Sequence, residues 1–200
     1  MKTALAIIMI LFISGCTTIK PAVTKYKLVS ADNSKIFSAD VDGCKDKTIK
    51  ISQAFSLSSL MHSDMKYTEF QNRVFSYSQA QWQESPNDFI TLEILKSIRN
   101  SNLFKSVQSS KSRGENDFIL ESNIEEFMQF YSEDLKNSYV NMVISFTLID
   151  SKTNTIIESK TFNSRVDVKT PNAQGGVEAL NIALSEIIFK NIEWLNGVCR

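Results

Sequence analysis

The sequence predicts an α+β domain, a largely antiparallel sheet with two main helices packed on one face. Three observations carry this. Val140, Met142, Ile144, Phe146 and Leu148 alternate with Asn141, Val143, Ser145 and Thr147, the two-residue period of a strand with one buried face. Phe89, Leu92, Leu95 (or Ile94) and Ile98 recur at helical spacing, as do Val177, Leu180, Leu184, Ile187 and Ile188; each set presents one apolar stripe to a core. The order strands, helix, strands, helix then gathers the helices on one side of a sheet.

The first residues belong to a different kind of segment. Lys2 supplies a positive charge, an apolar run extends from Ala4 to Ile13, and small Ser14 and Gly15 precede Cys16. A charged start, a short apolar middle and a small-residue cleavage site describe a secretory signal peptide. The run is about half the ~20 residues that span a bilayer. Ser14-Gly15-Cys16 resembles the bacterial lipobox, in which the thiol is lipidated and the chain is cut so that Cys16 leads the mature protein. The competing reading is an ordinary secretory signal with a chance cysteine at its end. Several acyl chains anchor a protein stably where one holds it marginally, so Cys16 is the expected lipidation site. Thr17 and Thr18 follow it, with no Asp to retain the protein at the inner membrane. The expected address is therefore the outer membrane, on its periplasmic face.

These signals divide the chain into a signal peptide over 1–15, a lipidated tether over 16–25 that contains Pro21, and a single domain over 26–200. A mature chain of this length suits one domain of roughly 100–200 residues. Lys plus Arg and Asp plus Glu number 22 each, and no block of like charge occurs. Nucleic acid is thereby excluded as an expected partner, because a phosphate-binding surface needs clustered Lys and Arg. Thirteen Phe and five Tyr against three Pro and six Gly mark a folded chain rather than a disordered one. With Cys16 assigned to lipid, Cys44 and Cys199 remain as a candidate disulfide in an oxidising compartment. Two free thiols that never meet are the alternative.

Within the domain, Tyr26 to Val29 reads as a brief strand, followed by a polar loop from Ser30 to Asp46. Thr48 to Leu60 reads as a strand, with Ile49, Ile51, Phe55 and Leu57 in near alternation. Tyr67 to Trp82 reads as short strands or a hairpin. Pro86 marks a helix start, with Asn87-Asp88 as its cap and a first helix over 87–100. Leu103-Phe104 opens a strand towards Val107. Three long strands follow. In the first, Phe118, Leu120, Ile124, Met128 and Phe130 share a parity. The second is the alternating run from Val140. The third runs from Ile156 to Val168, with Phe162, Val166 and Val168 on one side, and Asp150 to Asn154 is the hairpin turn before it. Pro171-Asn172 and Gly175-Gly176 end the sheet, and a terminal helix runs to Trp194-Leu195.

No catalytic constellation assembles. His62 is the only histidine, which excludes multi-histidine zinc sites and leaves a Ser-His-Asp triad a single candidate base. It reads as a polar loop residue. No P-loop, Gly-x-Gly-x-x-Gly or Gly-x-Ser-x-Gly occurs. Glu125 and Glu126 are adjacent on a strand, so they are expected to point to opposite faces and not to cooperate. Gly175-Gly176 lack a following Lys, Ser or Thr and read as a flexible helix start rather than a phosphate cradle. Trp82 and Trp194 read as core. No catalytic, cofactor-binding or metal residue is assigned, and the expectation is a non-catalytic protein.

The order of pieces resembles a known family. A lipobox precedes Tyr26-Lys27-Leu28; an aromatic segment ends in Gln81-Trp82-Gln83-Glu84-Ser85-Pro86; a helix leads to Asn102-Leu103-Phe104-Lys105-Ser106-Val107; and a late helix runs from Val177-Glu178-Ala179-Leu180 to Trp194. This is similar to the ABC-type transport auxiliary lipoproteins, the PqiC-like partners of MCE-type lipid transporters, with Gln81 where an Arg is common. The resemblance implies an auxiliary subunit under the outer membrane that docks an MCE-domain protein. It also implies self-assembly into a homo-oligomeric ring and no nucleotide site of its own. The rival classes are another outer-membrane assembly or cell-wall-synthase-activating lipoprotein, and a serine hydrolase using His62.

Overall fold

The computed structural model describes residues 21–30, 43–70 and 72–199. Cys16, the signal peptide and the first part of the tether lie outside the described residues. Nine strands and two long helices follow in chain order: β1 (Thr24–Tyr26), β2 (Thr48–Ile51), β3 (Phe55–Ser56), β4 (Asp64–Glu69), β5 (Arg73–Trp82), α1 (Pro86–Asn100), β6 (Ser106–Ser109), β7 (Phe118–Tyr131), β8 (Ser138–Asp150), β9 (Thr155–Asp167) and α2 (Ala173–Val198). The class is α+β, with all nine strands in one sheet.

The sheet is organised by β7. One edge pairs antiparallel with β8 along its whole length, from Phe118 opposite Asp150 to Tyr131 opposite Ser138, and β8 pairs antiparallel with β9. The other edge of β7 is shared by three short parallel strands: β2 at Phe118 to Leu120, β3 at Asn123–Ile124 and β4 at Gln129–Phe130. Beyond them β6 runs parallel to β2, β5 antiparallel to β4, and β1 parallel to β5. The long ladders are antiparallel and most of the short ones parallel, so the sheet is mixed.

This arrangement explains why Thr48 to Leu60 is two strands and not one. After Ile51 the chain leaves the ladder, with the Ser52 amide donating to Leu120 O and the Ala54 amide to Thr91 Oγ1 on α1. It rejoins β7 three residues further along and then makes a 3-10 turn at Ser58–Leu60. The first strand is displaced as well: β1 covers Thr24–Tyr26, whereas Leu28 is buried and the Val29 amide donates to Asn181 Oδ1 on α2. Leu103 and Phe104 are buried after the helix, and strand pairing starts only at Ser106.

Glu125 is a bulge in β7. Ile124 pairs with Ile144 and Glu126 with Val143, so one extra residue is accommodated and the side-chain parity inverts past it. Leu120, Ser122 and Ile124 face inward before the bulge; Phe127 and Gln129 do so after it. Met128 and Phe130 therefore leave the buried face that a constant parity assigns to them.

Both helices cover that inner face. α1 starts at Ser85, with Pro86 as its first helical residue, so Asn87 and Asp88 sit inside the helix rather than capping it. The Ser85 hydroxyl donates to Asp88. Ile90, Ile94 and Ile98 form the centre of its buried stripe, while Leu92 points outward. α2 buries Val177, Leu180, Leu184, Ile187 and Ile188 against Val140, Met142, Ile144, Phe146 and Leu148 of β8 and packs on β9. The opposite face of β8 and β9 is polar, with Ser145 bonded to Thr161 and Thr147 to Ser159 across the ladder.

Cys44 and Cys199 are joined by a disulfide with Cα atoms 5.4 Å apart and 155 residues between them in sequence. Both are buried. A Cβ added to Gly43 would sit 1.4 Å from the Cys199 carbonyl oxygen. The chain before β2 and the end of α2 are thus in direct backbone contact beside the bond.

Candidate functional site

His62 is exposed in the turn before β4, and among the described residues no group of three His, Cys, Asp or Glu is placed to hold a metal ion. The bulge changes the reading of the acidic pair. Glu125 accepts from the Ser145 hydroxyl and Glu126 from the Asn141 amide, and both partners lie on the outward face of β8. The two carboxylates therefore share a face instead of pointing apart. They are held by different residues, Glu125 by the Ser145 hydroxyl and Glu126 by the Asn141 amide.

Gly175 and Gly176 lie in the first turn of α2; backbone packing requires the first, and the second leaves room for the buried Gln129 carboxamide. Asn172 caps the helix, accepting from the Gly175 amide at 2.8 Å. A Cβ on Gly175 would come within 2.1 Å of Thr170 O, and one on Gly176 within 2.0 Å of Gln129 Oε1. The amides are turned to the protein, not to an anion. Trp82 is buried against Phe127, with ring centroids 5.7 Å apart. Trp194 is partly buried and packs on the core.

A cluster of aromatic side chains lies at one end of the sheet. β4 runs parallel to β7, so the β4–β5 turn and the β7–β8 turn come to the same end. Tyr67, Phe75, Tyr77 and Tyr131 gather there. Tyr67 stacks on Phe75 at 5.6 Å, lies 4.5 Å from Tyr77 and meets Tyr131 edge-on at 5.3 Å. Beneath them Gln129 is buried: its Oε1 accepts from Tyr77 at 3.0 Å, and its Nε2 donates to Ser138 Oγ at 2.9 Å. Tyr77 and Tyr131 pair their hydroxyls at 2.7 Å. Burial, followed by the Tyr131 hydrogen bond, pushes the Tyr77 phenol far above its ordinary pKa, and burial raises Tyr131 as well. Both stay neutral donors throughout the physiological range. On the outward side Phe130 stacks on Tyr139 at 5.1 Å, and the Arg165 guanidinium lies 3.6 Å over the Tyr139 ring.

Sequence reading missed this cluster because its members come from three strands brought together by parallel pairing and a bulge. The aromatic enrichment of Tyr67 to Trp82 was its only linear signal.

A second contact fixes where the chain enters the domain. Glu93 on α1 is buried and accepts from the Ser30 amide at 3.1 Å, the Ser30 hydroxyl at 2.8 Å and Lys96 Nζ at 2.9 Å. Burial alone would raise its carboxyl pKa, but the hydrogen bonds from Lys96 and Ser30 outweigh it and hold the group below its ordinary value. A depressed folded-state pKa contributes stability above the unfolded pKa and loses it as pH falls through the folded one. Glu93→Gln is therefore expected to flatten the decline of unfolding free energy below about pH 4.3, read by urea denaturation at a series of pH values. An unchanged acid limb would show that Glu93 titrates as it does in the unfolded chain.

No family model matches the chain, and no curated protein matches it. Solved structures share its fold. A Xanthomonas campestris protein of the DUF330 family superposes with a TM-score of 0.74 at 12% identity, over 88% of this chain and 96% of that one. An uncharacterized protein superposes at 0.67, also 12% identical, over 88% of this chain and 99% of its own. A hypothetical protein of Chlamydia trachomatis reaches 0.50 at 8% identity, over 77% of this chain and 98% of its own. The superpositions establish a common fold, and at identities this low the fold alone.

Proposed function

We propose that this chain is an outer-membrane-anchored periplasmic lipoprotein. In this role it is the non-catalytic auxiliary subunit of an MCE/ABC-type transport system that moves lipid or a hydrophobic solute between the two membranes. The observation that carries the reading is a lipobox ending in Cys16 placed directly ahead of a domain with the DUF330 fold, matched over nearly the whole of both chains. The PqiC-like resemblance of the Trp82 to Pro86 and Leu103 to Val107 segments points the same way.

The physical division of labour follows. A lipid at Cys16 would hold the domain at one membrane, and the domain would hold a partner reaching from the other. Such a subunit draws its energy from an ATPase elsewhere and needs no nucleotide site. Ring formation suits a partner that is itself ring-shaped. The test is crosslinking of the full-length lipoprotein in intact cells followed by purification. An MCE-domain protein is expected as a crosslinked partner, encoded beside a permease and an ATPase. Recovery of a cell-wall synthase or a lipopolysaccharide-assembly protein in its place would overturn the proposal.

A further inference from the structure

The end that carries the tyrosine cluster also exposes apolar side chains at the tips of two hairpins. Phe70 in the β4–β5 turn is 43% exposed, Val74 and Phe75 at the start of β5 are 56% and 39% exposed, and Leu135 in the β7–β8 turn is 45% exposed. Phe70 and Leu135 both adopt positive φ, 51° and 58°, where larger side chains are uncommon. Neither turn needs an apolar residue for its own geometry; glycine or asparagine would be less strained. The Arg73 guanidinium lies 4.2 Å above the Phe70 ring. This pairs a cation with an exposed aromatic, as side chains at a water–lipid boundary do.

The path of the chain says what faces this end. β1 is parallel to β5, with Thr24 beside Ala80 and Tyr26 beside Trp82, and β5 starts at the hairpin tip with Arg73. β1 is therefore entered from the tip side. Seven residues of β5 separate Ala80 from Arg73, about 23 Å at the strand rise. The chain from Cys16 to Val23 spans at most roughly 25–30 Å. A lipid on Cys16 thus comes into register with the tips when the tether continues in the direction β1 sets. The opposite end presents the polar turn from Asp150 to Asn154, in which Asp150 Oδ1 accepts from the Lys152 and Thr153 amides, and exposes Ile156 and Ile157 on β9 just after it; the tether length, not apolarity alone, selects the hairpin tips.

Building on the lipoprotein reading above, we infer that the β4–β5 and β7–β8 hairpin tips, through Phe70, Val74, Phe75 and Leu135, rest in the interfacial layer of the bilayer that holds the Cys16 lipid. The lipid then acts with a second, protein-borne contact, and the domain stands on the membrane in one orientation with α2 rising from its N-terminus at that surface. Charge does not drive the contact. Arg73, Lys136, Arg165 and Lys169 at this end are matched by Glu69, Glu133, Asp134 and Asp167. Docking is therefore apolar, insensitive to salt and indifferent to anionic lipid.

The test adds one tryptophan at a time to the two native ones, Trp82 and Trp194, in the full-length lipidated protein reconstituted into brominated phosphatidylcholine vesicles. Phe75→Trp is expected to add emission that the bromine quenches and added salt does not restore. Ile156→Trp, exposed near the other end of the sheet, is expected to add emission that is not quenched. An unquenched Phe75→Trp, or equal quenching at both positions, overturns the proposal. So does a Phe75→Trp signal that changes only as protein density in the membrane rises, because that marks a second copy as the occupant. Flotation of the Cys16→Ser variant, exported behind an ordinary secretory signal in place of residues 1–15 so that no apolar leader remains, separates the two levels of the argument. If it floats as the wild type does, the lipoprotein reading fails and this inference falls with it. If only the wild type floats and Phe75→Trp is unquenched, the lipoprotein reading stands and the tips do not touch lipid.

Discussion

Replacing Cys44 and Cys199 by Ser is expected to lower the unfolding free energy by about 5 kcal/mol, the chain-entropy value for a loop this long. The bond closes 155 residues of separation and removes from the unfolded ensemble every conformation in which the two ends of the domain are far apart. For a domain of this size the melting temperature should fall by roughly 10–20 °C. The native state has reason to keep its shape without the bond, since the Gly43 backbone packs directly on the Cys199 carbonyl and both cysteines are buried. Urea unfolding of the double variant, compared with the wild type with and without reductant, measures the effect. Reductant added in denaturant should bring the wild type to the variant's midpoint. Coincident midpoints for the variant and the oxidised wild type would show that the bond contributes nothing.

Cys16→Ser should have the largest effect on function under the proposed reading. Exported behind an ordinary secretory signal in place of residues 1–15, the variant lacks the acyl attachment and keeps, at most, the weak apolar contact of the hairpin tips. The domain begins its pairing at Thr24 and its core at Leu28, so the substitution leaves the folded part untouched. The circular dichroism spectrum and melting curve of the variant should match the wild type. The membrane-bound fraction should collapse and the transport phenotype be lost. An unlipidated protein that supports transport fully would break the link between anchor and activity.

Much of the fold was legible in the chain because its strongest signals are local. The alternation from Val140 to Leu148 places every second side chain of β8 in the core, and all five are buried. The helical stripe from Val177 to Ile188 marks α2 with equal clarity, since a period of 3.6 is maintained through about three turns. α1 was less fully legible. Its segment is rich in isoleucine and leucine on more than one face, and packing selected Ile90, Ile94 and Ile98 for the centre while leaving Leu92 outside. The disulfide was readable only as an option. Two cysteines in an oxidising compartment are compatible with a bond, but whether their backbones approach depends on the whole fold between them.

The bulge at Glu125 had no linear signal. A two-residue period carried through it puts Met128 and Phe130 inside and separates Glu125 from Glu126. Pairing with β8 puts Phe127 and Gln129 inside and the two glutamates on one face. The same holds for the parallel strands. Nothing within Thr48 to Glu69 states that β2, β3 and β4 line a single edge of β7, because parallel partners are joined by long crossovers and their register is set by the partner. Gly175 illustrates the point at one turn: in sequence it looks like flexibility, and in the fold a Cβ there would run into the Thr170 carbonyl.

The sequence by itself determined the class of the domain and the identity of its two helices and its three long strands, and it carries the expectation of a signal peptide over 1–15. These depend on periodicity and on residues adjacent in the chain. Tertiary structure alone decided the mixed sheet, the inversion at Glu125, the tyrosine cluster over Gln129, and the end of the molecule from which β1 is entered. Each of those is a relation between segments far apart in sequence, set by which strand edges satisfy one another's hydrogen bonds.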